Sequence, residues 1–415
     1  MKPVWREGNS ADLLINGEDF FPRVFDRIRQ ARKEVLLETF IVLEDKVGKE
    51  LQQALICAAR NGAHVEVIVD GYGTVDLSNE YLSEMSEAGV RVHVFDPQPR
   101  RFGMRTNLFR RLHRKIVVVD NEVAYVGGIN FTAVHLGDYG PGAKQDYAVE
   151  VRGPVVEDIR HASLNLFRQA RRELPLPLKV EQRQPRQQRY AGSSRIMLAI
   201  RDNKRHTTDI EDHYLRAIRS ANYRLVIANA YFFPGYRMLR ELRHAARRGV
   251  QVTLILQGEP DMPWVRSCST FLYSYLLRSG VIIHEYCKRP LHGKVALMDS
   301  EWVTVGSSNL DPLSLSLNLE GNLFIRDQKL NHHLYEHLMA LSEKHCTTIT
   351  PDVTARGLWW RAPLTFLSFH FLRRFPAIAG SLPAHTPRLE PLLPVVEEES
   401  TEQDLVPLEQ QEKLS

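Results

Sequence analysis

The stretch HRKIVVVD at His113–Asp120 occurs again, with the same internal spacing, as HGKVALMD at His292–Asp299. Each copy is followed by a glycine-containing stretch, GGIN at Gly127–Asn130 and GSSN at Gly306–Asn309. In both copies Lys lies two, Asp seven, Gly fourteen and Asn seventeen residues after the His. A short apolar run between polar residues indicates a buried β-strand. The two copies therefore mark the same strand in two equivalent units.

The sequence on either side of the motifs repeats as well. In each unit a helical pattern precedes an apolar run, at residues 35–41 and 225–231, and a second helical pattern follows. Gly62 and Gly249 end that second helix at matching places. Strands that alternate with helices predict α/β layers with a largely parallel sheet, here as two similar α-β-α sandwich domains. Their expected bounds are 1–173 and 193–350, with a Pro- and Gln-rich linker at 174–192.

The spacing of the motif brings a histidine and a lysine together in each unit. Side chains two positions apart share one face of a strand, so His113 and Lys115 project together, as do His292 and Lys294. Imidazole can act as a nucleophile or as a general acid and base, and ammonium groups can hold phosphate oxygens. Two such pairs that meet at a pseudo-twofold interface predict one site for a phosphodiester, with no metal or cofactor required.

The residues after each motif strand are expected to form a hairpin turn. If Asp120-Asn121 and Asp299-Ser300 are two-residue turns, the first histidine faces Gly128 and the second faces Ser307. Both aspartates then lie at a turn, off the reacting face. Small residues opposite each histidine would leave room for a substrate.

Each histidine also needs a partner that fixes its tautomer. Asp146 and Glu320 lie at similar distances downstream of the two motifs, and each precedes an apolar run, so they are the predicted orienting acids. The other predicted site residues are the motif residues His113, Lys115, Asp120, His292, Lys294 and Asp299 as catalytic, and Asn130, Ser307 and Asn309 as phosphate-binding.

The doubled HxKxxxxD motif followed by GxxN resembles the phospholipase D superfamily, over most of residues 10–345. Within it the chain is similar to bacterial cardiolipin synthases, most closely the B-type enzymes without N-terminal membrane spans. The resemblance implies a duplicated α/β sandwich, a phosphohistidine intermediate and phosphatidyl transfer between phospholipids. It also implies that His113 is the nucleophile and His292 the acid and base. Gly127-Gly128 departs from the common Gly-Ser pair, so the first unit is expected to lack one hydroxyl.

Charge and composition point to an anionic partner. The chain has a formal net charge of +4, yet residues 386–415 hold eight acidic and two basic residues, so the remaining body carries +10. Between Pro97 and His113 the first unit has eight residues more than the second, with five arginines among bulky apolar residues. This pattern suits an anionic lipid surface and would also suit single-stranded nucleic acid.

The C-terminal region contains two further predicted segments. The amphipathic segment 355–379 includes Trp359 and Trp360, and only 16 residues separate Arg356 from Arg373. Because a spanning helix needs about 20 residues, we expect this segment to lie in the membrane interface; docking on the core is the alternative. The acidic tail at 380–415 is expected to be disordered.

These patterns, with the resemblance, predict a phosphatidyltransferase that forms cardiolipin from two phosphatidylglycerols and releases glycerol. Its expected partners are anionic phospholipids at a membrane surface, phosphatidylglycerol and cardiolipin among them, with no nucleic acid. We expect a peripheral protein of the inner cell membrane without a signal peptide. A phospholipid hydrolase would share every catalytic residue, and a nuclease of the same fold is a further alternative. Two intact motifs argue against a catalytically silent membrane scaffold.

Overall fold

The computed structural model describes residues 3–74, 77–97, 100–101, 104–105, 110–170, 190–258, 272–350, 367, 374 and 387–393. Several sequence predictions concern residues outside these ranges. They are most of the linker at 174–192, nearly all of the amphipathic segment at 355–379, most of the arginine-rich insertion before His113, and the tail beyond residue 393.

The first half follows the helix and strand pattern that the repeat predicts, with additional strands at both ends. Its elements are β1 (Arg6–Ile15), α1 (Asn16–Arg29), β2 (Glu34–Thr39), α2 (Lys46–Arg60), β3 (His64–Asp70), α3 (Asn79–Glu87), β4 (Arg91–Phe95), β5 (Arg100–Arg101), β6 (Met104–Arg105), β7 (Ile116–Val119), β8 (Val123–Gly127), β9 (Tyr147–Arg152) and α4 (Val155–Ala170).

The second half repeats this order around its own motif. Its elements are β10 (Ser194–Arg201), α5 (Asp209–Ser220), β11 (Arg224–Asn229), α6 (Tyr236–Arg247), β12 (Gln251–Gln257), β13 (Ile282–Tyr286), β14 (Lys294–Met298), β15 (Trp302–Gly306), α7 (Pro312–Ser316), β16 (Glu320–Arg326), α8 (Gln328–His345) and β17 (Cys346–Thr348). A last strand, β18 (Leu389–Pro391), follows near the C-terminus.

Local sequence signals explain where the repeated helices begin and end. The Asp45 carboxylate accepts the backbone N–H groups of Val47 and Gly48, so it caps the first turn of α2. Beyond the ends of α2 and α6, Gly62 and Gly249 have φ values of +88° and +95°. Only glycine adopts this backbone conformation without strain, which is why both helices end where the repeat predicts.

The strands of both halves join into one sheet of sixteen strands within the described residues, in the order β17-β13-β12-β11-β14-β15-β16-β10-β1-β9-β8-β7-β2-β3-β4-β18. Among these sixteen strands, parallel pairing is confined to β2-β3-β4 and β11-β12-β13, and all other adjacent strands are antiparallel. The prediction of a largely parallel sheet is therefore wrong. A short hairpin makes each motif strand antiparallel to the strand that follows it. On its other side each motif strand is antiparallel to β2 or β11.

The two hairpins have longer turns than predicted. Val119 pairs with Val123 and Met298 pairs with Trp302, so each loop contains three residues. The first residue of each loop, Asp120 or Asp299, has a positive φ, 55° and 49° respectively. Aspartate tolerates this left-handed conformation better than most residues. The register is consequently shifted by one position from the prediction.

Each half-sheet has helices on both faces, which confirms the predicted α-β-α layers. One apolar cluster packs α1, α2 and α3 on the outer face of the first half-sheet, and a second packs α5 and α6 on the outer face of the second. The third cluster lies between the two half-sheets and includes α4, α8 and inward-facing residues of both. Alternation along β2 illustrates the arrangement, because Leu36 faces this shared core while Val35 and Leu37 face outward.

The beginning of the acidic tail differs from its prediction. Leu389–Pro391 forms a strand antiparallel to β4, which would otherwise be an edge strand. The N–H of Asp96 donates to the C=O of Arg388, and the N–H of Arg388 donates to the Asp96 carboxylate. Disorder is therefore the wrong prediction for residues 387–393, since a sheet edge offers them unpaired backbone groups. No helix within the described residues has both the length and the apolar composition needed to cross a bilayer.

Candidate active site

Two histidine–carboxylate pairs form the centre of the site, and each pair joins the two halves. Nδ1 of His113 lies 3.1 Å from Oε2 of Glu320, and Nδ1 of His292 lies 2.5 Å from Oδ2 of Asp146. Both carboxylates are fully buried, and both imidazoles are nearly so. The two predicted orienting acids thus do contact the motif histidines, and each serves the histidine of the opposite half.

These contacts fix which ring nitrogen is available for chemistry. An ionised carboxylate can only accept, so Nδ1 of each imidazole is the nitrogen that carries the proton in the neutral ring. Nε2 then keeps its lone pair. Within the part of the chain that the structure describes, no hydrogen bond engages Nε2 of either His113 or His292.

A backbone bridge between the halves places the first pair. Leu112 and Leu319 form a parallel bridge, in which the N–H of His113 donates to the C=O of Leu319 at 2.9 Å. Asp70, at the end of β3, accepts the N–H of Leu112 at 2.7 Å. Glu320 follows Leu319 directly, so the bridge brings its carboxylate to the imidazole.

An equivalent bridge places the second pair. Gln145 and Leu291 form a parallel bridge, in which the N–H of His292 donates to the C=O of Gln145 at 2.8 Å. The side chain of Gln257, at the end of β12, accepts the N–H of Leu291. Asp146 follows Gln145 directly and therefore reaches His292.

The two lysines lie beside their histidines, as the motif spacing predicts. Nζ of Lys115 donates to the C=O of His113 at 2.8 Å, and Nζ of Lys294 donates to the C=O of His292. Burial lowers the pKa of Lys115 to about 7 and the pKa of Lys294 to about 8. Lys294 lowers the pKa of Lys115, and Asp146 and Glu320 raise the pKa of both lysines, so the two ammonium groups face the same two acids.

The surroundings of the two motif histidines favour their neutral form. Burial lowers the pKa of His113 to about 4 and takes the pKa of His292 well below its usual value. Burial alone would raise the pKa of Glu320, but His113 and Lys115 hold that pKa below its usual range. The pKa of Asp146 is raised by burial. Near neutral pH the site thus contains neutral imidazoles with the proton on Nδ1, the form in which Nε2 can attack phosphorus.

The structure does not bring the motif aspartates to the histidines. The Asp120 carboxylate accepts backbone N–H groups of residues 32–34 at 2.8–3.1 Å, and Asp299 accepts those of residues 222–224 at 3.0–3.3 Å. These groups lie at the starts of β2 and β11, at the far end of the motif strands. We therefore correct their predicted role: both aspartates hold the motif strand to its neighbour and are structural.

Ser307 also has a different contact from the one predicted. Its hydroxyl donates to Oε2 of Glu320 at 2.5 Å and accepts the N–H of Gly321 at 3.1 Å. It therefore supports the acid that orients His113 and is not a free donor for phosphate. At the equivalent position Gly128 leaves no space for a side chain, because a Cβ there would lie 2.3 Å from Oδ1 of Asp146.

The two asparagines are buried in the site region. Oδ1 of Asn130 accepts the N–H of Ile41 at 3.3 Å, which leaves its NH₂ group for another partner. Oδ1 of Asn309 is buried and has no hydrogen-bond partner among the described residues. A contact between these amides and a phosphate stays a prediction.

Two residues near the histidines are not indicated by the sequence motifs. The ring of Phe40 lies 5.1 Å from that of His113, with Nζ of Lys115 5.2 Å from its centroid. Its place directly after β2, the neighbour of the motif strand, could have indicated it. The second is His135, which is completely buried, and whose ring lies 5.7 Å from that of His292. The repeat gives no signal for it, because the equivalent position holds Ser314.

His135, Asp146 and His292 offer three potential ligand atoms within 4.8 Å of one another. The backbone N–H of Asn130 donates to Nε2 of His135 at 3.2 Å, so Nδ1 of this ring carries the proton. A cation would need a bare Nδ1 on both rings, at the loss of the Asn130 hydrogen bond. The protonated Nδ1 of His135 lies 3.8 Å from Oδ2 of Asp146 and is therefore unsuited to coordinate a metal ion.

Comparison with known proteins adds to this geometry. The sequence pattern described as "Cardiolipin synthase, PLD-like domain" matches residues 24–154 and 214–341. Cardiolipin synthase B of Escherichia coli (strain K12) is 52% identical over 413 residues, which cover 99% of this chain and 98% of that protein. Cardiolipin synthase B of Salmonella typhi is 51% identical over 409 residues, 98% of both chains.

Solved structures share the fold at much lower identity. The phosphatidylserine synthase of Haemophilus influenzae aligns with a TM-score of 0.60 at 14% identity, over 90% of this chain and 95% of that one. A polyphosphate kinase of Porphyromonas gingivalis aligns with a TM-score of 0.55 at 16% identity, over 83% of this chain and 49% of that one. At such identities the likeness concerns the fold alone.

Proposed function

The chain belongs to the cardiolipin synthase family with phospholipase D-like domains, and on that premise we propose that it transfers a phosphatidyl group between two phosphatidylglycerol molecules. The products are cardiolipin and glycerol. One observation carries the mechanism: two histidine–carboxylate pairs, exchanged between the halves, with a buried lysine beside each histidine. This arrangement provides two basic nitrogens and two cations for one phosphodiester.

In the first step Nε2 of His113 attacks the phosphorus of the donor phosphatidylglycerol. The bond from phosphorus to the headgroup glycerol breaks, and the leaving oxygen takes a proton from Nε2 of His292. The negative charge of the bound phosphodiester favours the imidazolium form of His292 that this step needs. Glycerol leaves, and the phosphatidyl group stays on Nε2 of His113 as a phosphohistidine.

In the second step a hydroxyl of the second phosphatidylglycerol gives its proton to Nε2 of His292, and its oxygen attacks phosphorus. The phosphorus–nitrogen bond breaks, cardiolipin leaves, and both histidines return to their starting forms. Lys115 and Lys294 stabilise the charge that builds up on the non-bridging oxygens in both steps. Since the lysines supply this charge, the proposal calls for no metal ion or other cofactor.

The proposal places the reaction on a membrane surface that contains anionic phospholipid, with the protein bound peripherally to the inner membrane and with no nucleic acid partner. The body charge of +10 supports attraction to such a surface. The arginine-rich insertion and the amphipathic segment at 355–379 are the expected contacts. Sedimentation with vesicles tests this part: binding should increase with the fraction of phosphatidylglycerol and fall as salt is added.

The reaction itself is tested with purified protein, vesicles of glycerol-labelled phosphatidylglycerol and EDTA. The wild type should form cardiolipin and release free glycerol, whereas His113→Ala and His292→Ala should do neither. His213→Ala is the matched control, because this histidine packs against Phe324 on the outer side of the second half. Phosphatidic acid as the product would mean hydrolysis, and cleavage of single-stranded DNA with unchanged vesicles would mean a nuclease.

The order of the histidines needs a separate experiment. A donor with a p-nitrophenyl headgroup needs no proton for its departure, so His292→Ala should still accept the phosphatidyl group and hold it. Mass spectrometry of the quenched protein should then find the adduct on His113. An adduct on His292 of His113→Ala, with none in His292→Ala, would reverse the assignment.

A further inference from the structure

The two acids of the site are fully buried and differ in what supports them. Glu320 accepts from His113 and from the hydroxyl of Ser307 on the same oxygen, Oε2. Oδ1 of Asp146 accepts the backbone N–H of Tyr147 at 2.8 Å, whereas Oδ2 accepts from His292 alone among the described residues. The residue equivalent to Ser307 is Gly128, which has no side chain that could donate to Oδ2. A buried carboxylate with few donors is costly to keep ionised. Oδ2 of Asp146 therefore has one donor fewer than Oε2 of Glu320, and a second donor at this oxygen would stabilise the ionised acid.

His135 lies beside this oxygen of Asp146. It is completely buried, and the N–H of Asn130 occupies its Nε2 at 3.2 Å. The proton of the neutral ring is therefore on Nδ1, which lies 3.8 Å from Oδ2 of Asp146, the oxygen that also accepts from His292. This Nδ1 has no hydrogen-bond partner among the described residues. The separation is longer than a hydrogen bond, but a buried polar N–H without another partner is placed to donate to the carboxylate that it faces.

We propose that His135 is a positioning residue for His292, which acts through Asp146 and replaces the hydroxyl that Gly128 cannot supply. The inference rests on the proposed function, because it assigns His135 to the acid and base of the transfer. The N–H of Asn130 holds the ring in one orientation, and the ring edge packs against that of His292 at 5.7 Å. Nδ1 of His292 and Nδ1 of His135 therefore lie 2.5 Å and 3.8 Å from the same carboxylate oxygen.

The charged groups that face His135 are consistent with a neutral donor. They are Asp146, His292, Lys144 and Lys294, and burial keeps the pKa of His135 well below its usual value. A neutral imidazole adds no charge to a site that already contains two lysines, so it supports Asp146 without repelling them. Its hydrogen favours the ionised form of Asp146, the form that holds the Nδ1–H of His292.

The experiment compares two substitutions with opposite chemistry. His135→Phe keeps the ring and its packing but removes both nitrogens, whereas His135→Gln loses the ring and keeps an acceptor for Asn130 and a donor for Asp146. The kcat of cardiolipin formation should fall about tenfold in the phenylalanine variant and stay within about twofold of wild type in the glutamine variant. His213→Phe is the matched control, with an unchanged kcat expected.

The pH profile separates positioning from packing. Without its donor the pKa of Asp146 rises, so the acid limb of the kcat/KM profile should move to higher pH in His135→Phe and return in His135→Gln. Equal losses in both variants, or a phenylalanine variant with wild-type kcat and profile, would overturn the inference. If the wild type forms no cardiolipin, the proposed function fails instead.

¹⁵N NMR of histidine-labelled wild type is independent of any variant: a protonated Nε2 on His135 would also refute the inference.

Discussion

Glu320 lies 207 residues beyond His113 in the chain, yet its carboxylate is 3.1 Å from Nδ1 of that histidine. The acid and the histidine come from different halves, and the second pair mirrors them across the pseudo-twofold interface. The active site is therefore a property of the interface, which neither half contains by itself.

This exchange predicts which pairs of residues are energetically coupled. In a double-mutant cycle on the free energy of unfolding, His113→Ala and Glu320→Gln should show a coupling of about 1 kcal/mol or more. The matched cycle with His113→Ala and Asp146→Asn should be additive within about 0.5 kcal/mol, since these residues do not form a pair. Urea denaturation measures both, and a larger coupling in the second cycle would contradict the exchanged pairing.

The buried lysines predict an alkaline limit on activity. Lys115 must be protonated to stabilise phosphate charge, and its pKa of about 7 means that kcat/KM should fall as pH rises through 7. The fall should steepen near pH 8, where Lys294 also loses its proton. Lys115→Arg keeps the charge at every pH used, so its profile should lose the component near pH 7. A profile that stays flat to pH 9 in the wild type would contradict the lowered pKa values.

The motif aspartates predict a change in stability without a change in chemistry. Asp120→Asn removes the charge that three backbone N–H groups share, which should lower the free energy of unfolding by about 1–3 kcal/mol. Asparagine tolerates the positive φ at this position, so backbone strain adds little. Asp299→Asn should behave alike. The kcat of the folded variants should remain near that of wild type, and a large loss of kcat at unchanged stability would return these residues to the catalytic group.

Gly128 predicts an asymmetric response to substitution. Gly128→Ser restores the Gly-Ser pair that is common in the superfamily, but its Cβ would lie 2.3 Å from Oδ1 of Asp146. The carboxylate must then move away from His292, and kcat should fall at least tenfold. Ser307→Gly, its counterpart, removes one hydrogen bond to Glu320 without a clash and should cost less activity. Equal activity of Gly128→Ser and wild type would show that Asp146 can move freely.

The added strand at the C-terminus predicts local protection of β4. The N–H of Asp96 donates to the C=O of Arg388 at 2.9 Å, so removal of residues 387–415 should expose this amide and speed its hydrogen exchange. The amide of Ile349, which donates to Ile283 near the edge of the second half, is the matched control and should not change. Slow exchange at Asp96 in the truncated protein would show that β18 is not needed there.

Much of the fold could be predicted from the repeat because its signals are local. Helix ends at Gly62 and Gly249, apolar strands and the side-by-side placement of His113 and Lys115 depend on residues close in sequence. The predicted register of the hairpin differs by one position from the observed one, because Asp120 adopts a left-handed conformation and caps a neighbouring strand. No pattern in the chain reveals that capping partner before the strands are in place.

The rest of the site depends on how the halves dock. The sequence places Asp146 and Glu320 at equivalent points but contains no information about which histidine each one serves. That choice follows from the two backbone bridges at Leu112 and Leu291, which form only when the halves meet. The position of His135 near Asp146 is unpredictable for a further reason, because the repeat has no equivalent histidine.

The exchange of acids between the halves has a consequence for inheritance. After a gene duplicates, the two copies are usually free to diverge, and one can acquire a new role while the other keeps the old one. Here a mutation of Glu320 in the second copy removes the partner of His113 in the first, and a mutation of Asp146 removes the partner of His292. Selection on either copy therefore acts on both, and the two halves of this gene cannot evolve independently.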